Sequence, residues 1–130
     1  MNQGHRSMPI LPAKDIAEAI AFYTNGLGFG LAGILKNDDG QDNFAIVQLD
    51  DITVGLQKSD RIGSGDDWVA YFYLEDLSVF IDQIQGNGVR IARGPEDSFY
   101  HCKEVEVVDP QGNLLCFAQD LKPGKNGPGL

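Results

Sequence analysis

Residues 8–29, MPILPAKDIAEAIAFYTNGLGF, decide how the chain is read, because a fainter copy of the pattern returns as VAYFYLEDLSVFIDQIQGNGV at residues 69–89. Each copy is a short apolar run, an aspartate before an apolar residue, an amphipathic segment and a glycine-containing exit. Asp15-Ile16 aligns with Asp76-Leu77 and Ile20 with Ile81. The exits Gly28-Phe29 and Gly88-Val89 align after a one-residue slip, a period of roughly 60 residues. The pattern is that of one duplicated unit.

Local signals within the first unit agree with this. Pro9 and Pro12 withhold ladder hydrogen bonds from residues 7–13, which predicts an edge strand. Asp15 is a good N-cap with Glu18 three residues on, and Ile16, Ala19, Ile20 and Tyr23 recur at helical spacing. A helix of about ten residues ending near Asn25-Gly26 follows. Residues 29–35 read as a strand weakened by Gly30 and Gly33, KNDDGQ at 36–41 as a polar turn, and 44–49 with 52–57 as a hairpin joined by Asp50-Asp51.

The second unit repeats the order: strand 68–74, helix 76–85, strand 89–92, a polar and aromatic loop RGPEDSFYH at 93–101, and a hairpin of 104–108 with 114–119. The predicted class is α+β, with two tandem βαβββ modules at about 7–58 and 68–119 in a single domain spanning 1–130. A connector rich in Gly, Ser and Asp covers 59–67, and residues 120–130 read as a flexible tail.

A chain of 130 residues can bury one real core, whereas two independent domains of half that length would each be marginal. No apolar run approaches the roughly 18 residues that span a bilayer, so no membrane association is expected. The opening MNQGHRS has no apolar secretory region, which places the protein by default in the cytoplasm. A net charge of −9 argues against nucleic acid, which needs clustered Lys and Arg. It suits a cationic small molecule, and equally suits mere solubility. If DPQGN at 109–113 closes a hairpin about Gln111, Cys116 lies opposite Glu106. Cys102 is then roughly 13 Å further along its strand, beyond disulfide reach.

Two strand-helix-three-strand units, the first carrying LPAKDIAEAIAFYTNGLGF and the last ending DPQGNLLCFAQ, resemble the vicinal oxygen chelate superfamily of glyoxalase I, extradiol dioxygenases and bleomycin resistance proteins. PILPAKD at 9–15 is most similar to the bleomycin-resistance branch. The resemblance implies a mixed sheet curved around a cavity. In catalytic members, it further implies a divalent metal held by one residue from each of four strands. Those positions fall here on Met8, Val69, Cys116 and Gly55, or Gln57 if the register is off by one pleat. Met8, Val69 and Gly55 offer no donor for a hard or borderline cation, and one thiol is insufficient. No metal or other cofactor is therefore expected, and Lewis-acid or dioxygen chemistry lacks its agent.

Strand alternation extends the reading. Val105, Val107, Leu115 and Phe117 form an apolar face for the helices, leaving Glu104, Glu106, Leu114, Cys116 and Ala118 toward the cavity. By the same parity Met8 and Ile10, Phe44, Ile46 and Gln48, and Val69, Tyr71 and Tyr73 point inward. Such a groove suits a flat cationic organic ligand, since aromatic faces attract cations and carboxylates supply charge. The plainer alternative makes Tyr71, Tyr73, Glu104 and Glu106 a solvated sheet face. Trp68 has parity opposite to Tyr71 and reads as core or rim packing. His101, with Phe99 and Tyr100, reads as a lid or as a bare surface loop. A nucleophilic pair of Cys116 and His101 lacks a third orienting group.

Ligand contact is thus expected at Met8, Ile10, Phe44, Ile46, Gln57, Val69, Tyr71, Tyr73, His101, Glu104, Glu106 and Cys116. The leading function is metal-free sequestration of an aromatic, cationic small molecule, as the antibiotic-resistance resemblance implies. The resemblance also implies a homodimer whose subunit interface completes the groove. The alternatives are a metal-dependent lyase or dioxygenase and a partner of another protein.

Overall fold

The computed structural model describes residues 3–122. Strands β1 (Ile10–Ala13), β2 (Gly30–Lys36), β3 (Asp42–Leu49) and β4 (Ile52–Lys58) form one sheet in the order β1-β4-β3-β2. Strands β5 (Trp68–Tyr73), β6 (Arg93–Asp97), β7 (Cys102–Val108) and β8 (Leu114–Asp120) form the second, in the order β5-β8-β7-β6. Each sheet has one parallel pair, β1 with β4 or β5 with β8, because each module crosses over through its helix. The proline-bearing β1 lies at a sheet edge, where its missing donors are tolerated.

The duplication is visible in the ladders. Ile10 pairs with Gly55 and Leu11 with Leu56, while Tyr71 pairs with Cys116 and Phe72 with Phe117, so every partner is displaced by 61 positions. Both helices start on the predicted aspartate. Asp15 Oδ1 accepts from Glu18 N at 3.0 Å, and Asp76 Oδ1 accepts from Val79 N at 3.2 Å. The first helix, α1 (Ile16–Ala21), continues as a π-helical stretch, Phe22–Gly26, which buries Tyr23 completely. The second, α2 (Leu77–Gly86), buries Leu77, Phe80, Ile81 and Ile84.

One continuous core joins the modules. Ile16, Ala19 and Tyr23 pack with Leu11, Ala45, Val47, Val54 and Leu56, and Phe80 stacks at 4.6 Å on Phe117 beneath Val105, Val107 and Leu115. Polar contacts tie them too. Tyr23 OH donates to Asp109 Oδ2 at 2.7 Å, and Gln111 Oε1 accepts from Lys14 N at 2.6 Å. Gln111 Nε2 donates to Glu18 Oε1 at 2.9 Å, and Asn113 Nδ2 donates to Pro12 O at 3.0 Å. The turn at 109–113 is thus a clasp on the first module. The connector is drawn in as well, with Gly63 N donating to Gln111 O at 2.9 Å.

Three expectations need correction. Residues 89–92 are not a strand: Val89 and Ile91 tuck their side chains against the core, and strand pairing begins only at Arg93, so Arg93–Asp97 is strand instead of loop. An apolar alternation that satisfies the core need not enter a ladder. β8 runs to Asp120, the residue at which the tail is expected to start, and residues 123–130 lie outside the described residues. Trp68 does not have parity opposite to Tyr71. The ladder skips from Trp68↔Leu114 to Ala70↔Leu115, a bulge at Val69 that turns Trp68 onto the face carrying Tyr71 and Cys116.

Candidate functional site

The helix-free face of the second sheet carries an aromatic row and a charged cluster. Tyr71 lies 5.1 Å from Trp68 and 5.2 Å from Tyr73 between ring centroids. Glu104 and Glu106 sit two residues apart on β7, so both project to this face. Trp68 Nε1 donates to Glu106 Oε2 at 2.8 Å, and Tyr71 OH donates to Glu104 Oε2 at 2.7 Å. The Tyr100 hydroxyl donates to the same Glu104 oxygen.

Arg93, at the start of β6, closes the cluster. Its Nη2 lies 2.8 Å from Glu106 Oε2 and 3.4 Å from Glu104 Oε1, and its Nη1 lies 2.8 Å from Glu96 Oε2. Glu104 is only 3 % exposed, so a carboxylate is held inside the protein by three donors, the condition under which a buried charge is tolerated. The hydrogen bond from Arg93, aided by that from Trp68, holds the Glu106 carboxyl below the usual carboxylate range. The same bond to Glu106 raises the Arg93 guanidinium further. Burial, then the bond to Glu104, pushes the Tyr100 phenol up to about 12. Burial leads the rise at Tyr71 too.

The first module presents an apolar counterpart. Ile46 and Ile10 flank Gly55 across the ladder, and the Phe44 ring lies over that glycine, where an added Cβ would meet Phe44 Cζ at 2.7 Å. Gln57 lies opposite Phe44 and donates from Nε2 to Asn43 O at 3.0 Å. Ile10 and Leu35, at 56 % and 64 % exposed, leave an open apolar surface. Along the seam between β1 and β5, Ser7, Met8, Pro9, Ala70, Tyr71 and Phe72 line a hollow of about 360 Å³. Beside it, Asp51, Ile52, Thr53 and Tyr73 help line another of about 250 Å³. The larger is ligand-sized.

The structure therefore gathers Met8, Tyr71 and Tyr73 at the seam, Ile10, Phe44, Ile46 and Gln57 around Gly55, and Glu104, Glu106 and Cys116 beside Tyr71. Two predicted residues stand apart. Val69, in the bulge, has no cross-strand partner, and Trp68 takes its place. His101 adopts a left-handed backbone, φ 65°, and pairs through its main chain with Ser98 and Leu121, while its neighbour Tyr100 reaches Glu104. Arg93 and Trp68 were missed because a bulge and a late strand start leave no mark on simple alternation. For Arg93 the sequence offered only its charge, since its place beside Glu104 and Glu106 depends on which strand adjoins β7.

The family's metal does not fit these residues. Among the described residues no three His, Cys, Asp or Glu side chains are grouped to hold an ion. A phenyl ring fills the space at Gly55. Cys116 is fully buried, and burial followed by Glu104 and Glu106 pushes its thiol up to about 12, so it stays protonated and unsuited to a cation or to nucleophilic attack.

The sequence profile of the Glyoxalase/Bleomycin resistance protein/Dioxygenase superfamily matches residues 5–117. The chain belongs to this superfamily. Within it, the likeness is on the bleomycin-resistance side: a bleomycin resistance protein from Geobacillus stearothermophilus is 25% identical over 135 residues, covering 90% of this chain and 98% of its own. The crystal structure of a bleomycin-binding protein complexed with bleomycin superposes with a TM-score of 0.73 at 25% identity, covering 90% of this chain and 99% of that one. A glyoxalase/bleomycin resistance protein/dioxygenase from Alicyclobacillus acidocaldarius gives a TM-score of 0.75 over 93% of this chain and 95% of that one, at 18% identity, and supports the glyoxalase fold alone.

Proposed function

We propose that this superfamily member binds and sequesters a flat, cationic aromatic molecule, without metal and without making or breaking a bond. The observation that carries the reading is the pairing of buried Glu104 and partly buried Glu106 with the row Trp68, Tyr71 and Tyr73 on one sheet face. Ligand rings pack against the side chains of the row while the carboxylates attract positive charge. Met8, Ile10, Phe44, Ile46 and Gln57 supply the facing apolar wall, and Cys116 the floor between the carboxylates and Tyr71. His101 and Val69 belong to the rim.

A cytoplasmic homodimer completes the proposal. The apolar side chains of Met8, Ile10, Leu35 and Tyr73 are exposed, and a second copy of the chain would bury them. Bleomycin, the ligand in the neighbouring structure, is the first ligand to test. Calorimetric titration with bleomycin and with a planar aromatic cation should show saturable binding near one site per chain. Heat indistinguishable from dilution for both would reject the reading. Metal analysis of protein purified without chelator should find substoichiometric zinc, nickel, manganese and iron, and a stoichiometric one would return the lyase or dioxygenase alternative.

A further inference from the structure

Arg93 is the unexpected member of a groove built to attract cations. It stands on β6, the edge strand, so one side of its strand has no pairing partner among the described residues. Its side chain is 34% exposed, while those of Glu104 and Glu106, on the interior strand β7, are 4% and 15% exposed. The carboxylates are therefore the fixed partners and the guanidinium, on its long flexible stem, the movable one.

Its position overlaps the aromatic platform. Arg93 Nη2 and Trp68 Nε1 share one oxygen, Glu106 Oε2, each at 2.8 Å. The two rings, Trp68 and Tyr71, are tilted 55° apart, so a planar cation packs on one of them, and on Trp68 it would bring its charge to that same oxygen. Arg93 also has somewhere else to go: its other nitrogen already holds Glu96, 55% exposed and away from the more enclosed Glu104 and Glu106.

Resting on the reading of this face as a ligand groove, we propose that Arg93 is a built-in competitor for the cation site. Its guanidinium holds the place between Glu104 and Glu106 that a cationic ligand claims, and Glu96 receives it when it is displaced. A cation must offset the lost Arg93 pairs, whereas a neutral aromatic need not. Arg93 thereby sets how far the groove prefers charged over uncharged rings.

The test measures Kd for the acridinium dye proflavine and for its uncharged analogue acridone. Arg93→Gln should tighten proflavine by about tenfold, the factor that about 1.4 kcal/mol represents, and leave acridone within about twofold. Glu96→Gln removes the receiving carboxylate and should act oppositely, weakening proflavine about threefold, well under the tenfold that about 1.4 kcal/mol gives, again sparing acridone. Equal weakening of both probes by Arg93→Gln would make the arginine a wall of the site and overturn the inference, as would no change in either. If Arg93→Gln fails to fold, unchanged proflavine affinity in Glu96→Gln overturns it alone. Should neither wild type nor variants bind either dye, this inference and the ligand-groove reading fall together, while wild-type binding with no charge discrimination between variants refutes only this one.

Discussion

Replacing Tyr23 by Phe removes one oxygen from the clasp between the modules and leaves the packing in place, since the ring keeps its edge contacts with Phe22 and Phe29, both at 5.7 Å. The lost group is a hydroxyl donating at 2.7 Å to Asp109, a carboxylate only 3 % exposed. Asp109 Oδ2 then retains Asn113 Nδ2 at 2.9 Å, and Oδ1 retains Gln111 N and Asn113 N, also at 2.9 Å. A net hydrogen bond to a charged group contributes about 1.5–3 kcal/mol, and relieving the burial of the hydroxyl returns part of it, so a loss of about 2 kcal/mol is expected. For a chain of this length that lowers Tm by about 6–10 °C. Urea unfolding should show a lower midpoint with unchanged slope. The pH dependence sharpens the test. Burial first, then Asp109, raises the Tyr23 phenol well above 10.0, so its contribution is complete below pH 10.0 and fades as pH rises toward the folded value. The gap between wild type and Tyr23→Phe should therefore narrow in alkali. A loss under about 0.5 kcal/mol at neutral pH, where only a neutral or solvated bond would cost so little, would refute the clasp.

Other outcomes follow from the same geometry. Gly63→Ala would set a Cβ 2.1 Å from Gly112 O, a backbone atom that cannot swing away, and should cost at least about 2 kcal/mol in thermal melts, with a wild-type melt as the contrary result. Trp68 is the only tryptophan, so ligand binding should shift its fluorescence, and Trp68→Ala should weaken an aromatic ligand about tenfold or more. Silent fluorescence at saturation would remove Trp68 from the site. Glu106 titrates below its ordinary 4.5 through the Arg93 and Trp68 bonds, so its stabilisation is intact above pH 4.5 and disappears as pH drops through the folded value. Glu106→Gln should flatten that acid limb, and an unaltered limb would assign acid sensitivity elsewhere.

Much of the architecture was legible because its causes are local. Asp15 and Asp76 cap helices by their own side chains, Pro9 and Pro12 confine β1 to an edge, and the hairpin turn at 109–113 sets Cys116 against Glu106. The site was legible in part. Tyr71, Glu104 and Glu106 follow from counting by twos along stretches of ladder that run without a bulge. Trp68 does not, because one extra residue at Val69 reverses the count. Arg93 does not, because its role depends on which strand lies beside β7, a long-range fact, and Val89 and Ile91 imitate the strand that begins after them. Nor does the clasp, whose Tyr23 and Asp109 are 86 residues apart.

That clasp bears on how the duplication can have evolved. Tyr23, Glu18 and the main chain at Pro12 and Lys14 find their counterparts in the second module's turn, and Asn87 of the second module donates to Gly26 O of the first at 3.0 Å. Neither copy is any longer self-sufficient. A chain of just one half would turn to water the groups that the clasp now pairs, and the two copies have specialised into complementary parts.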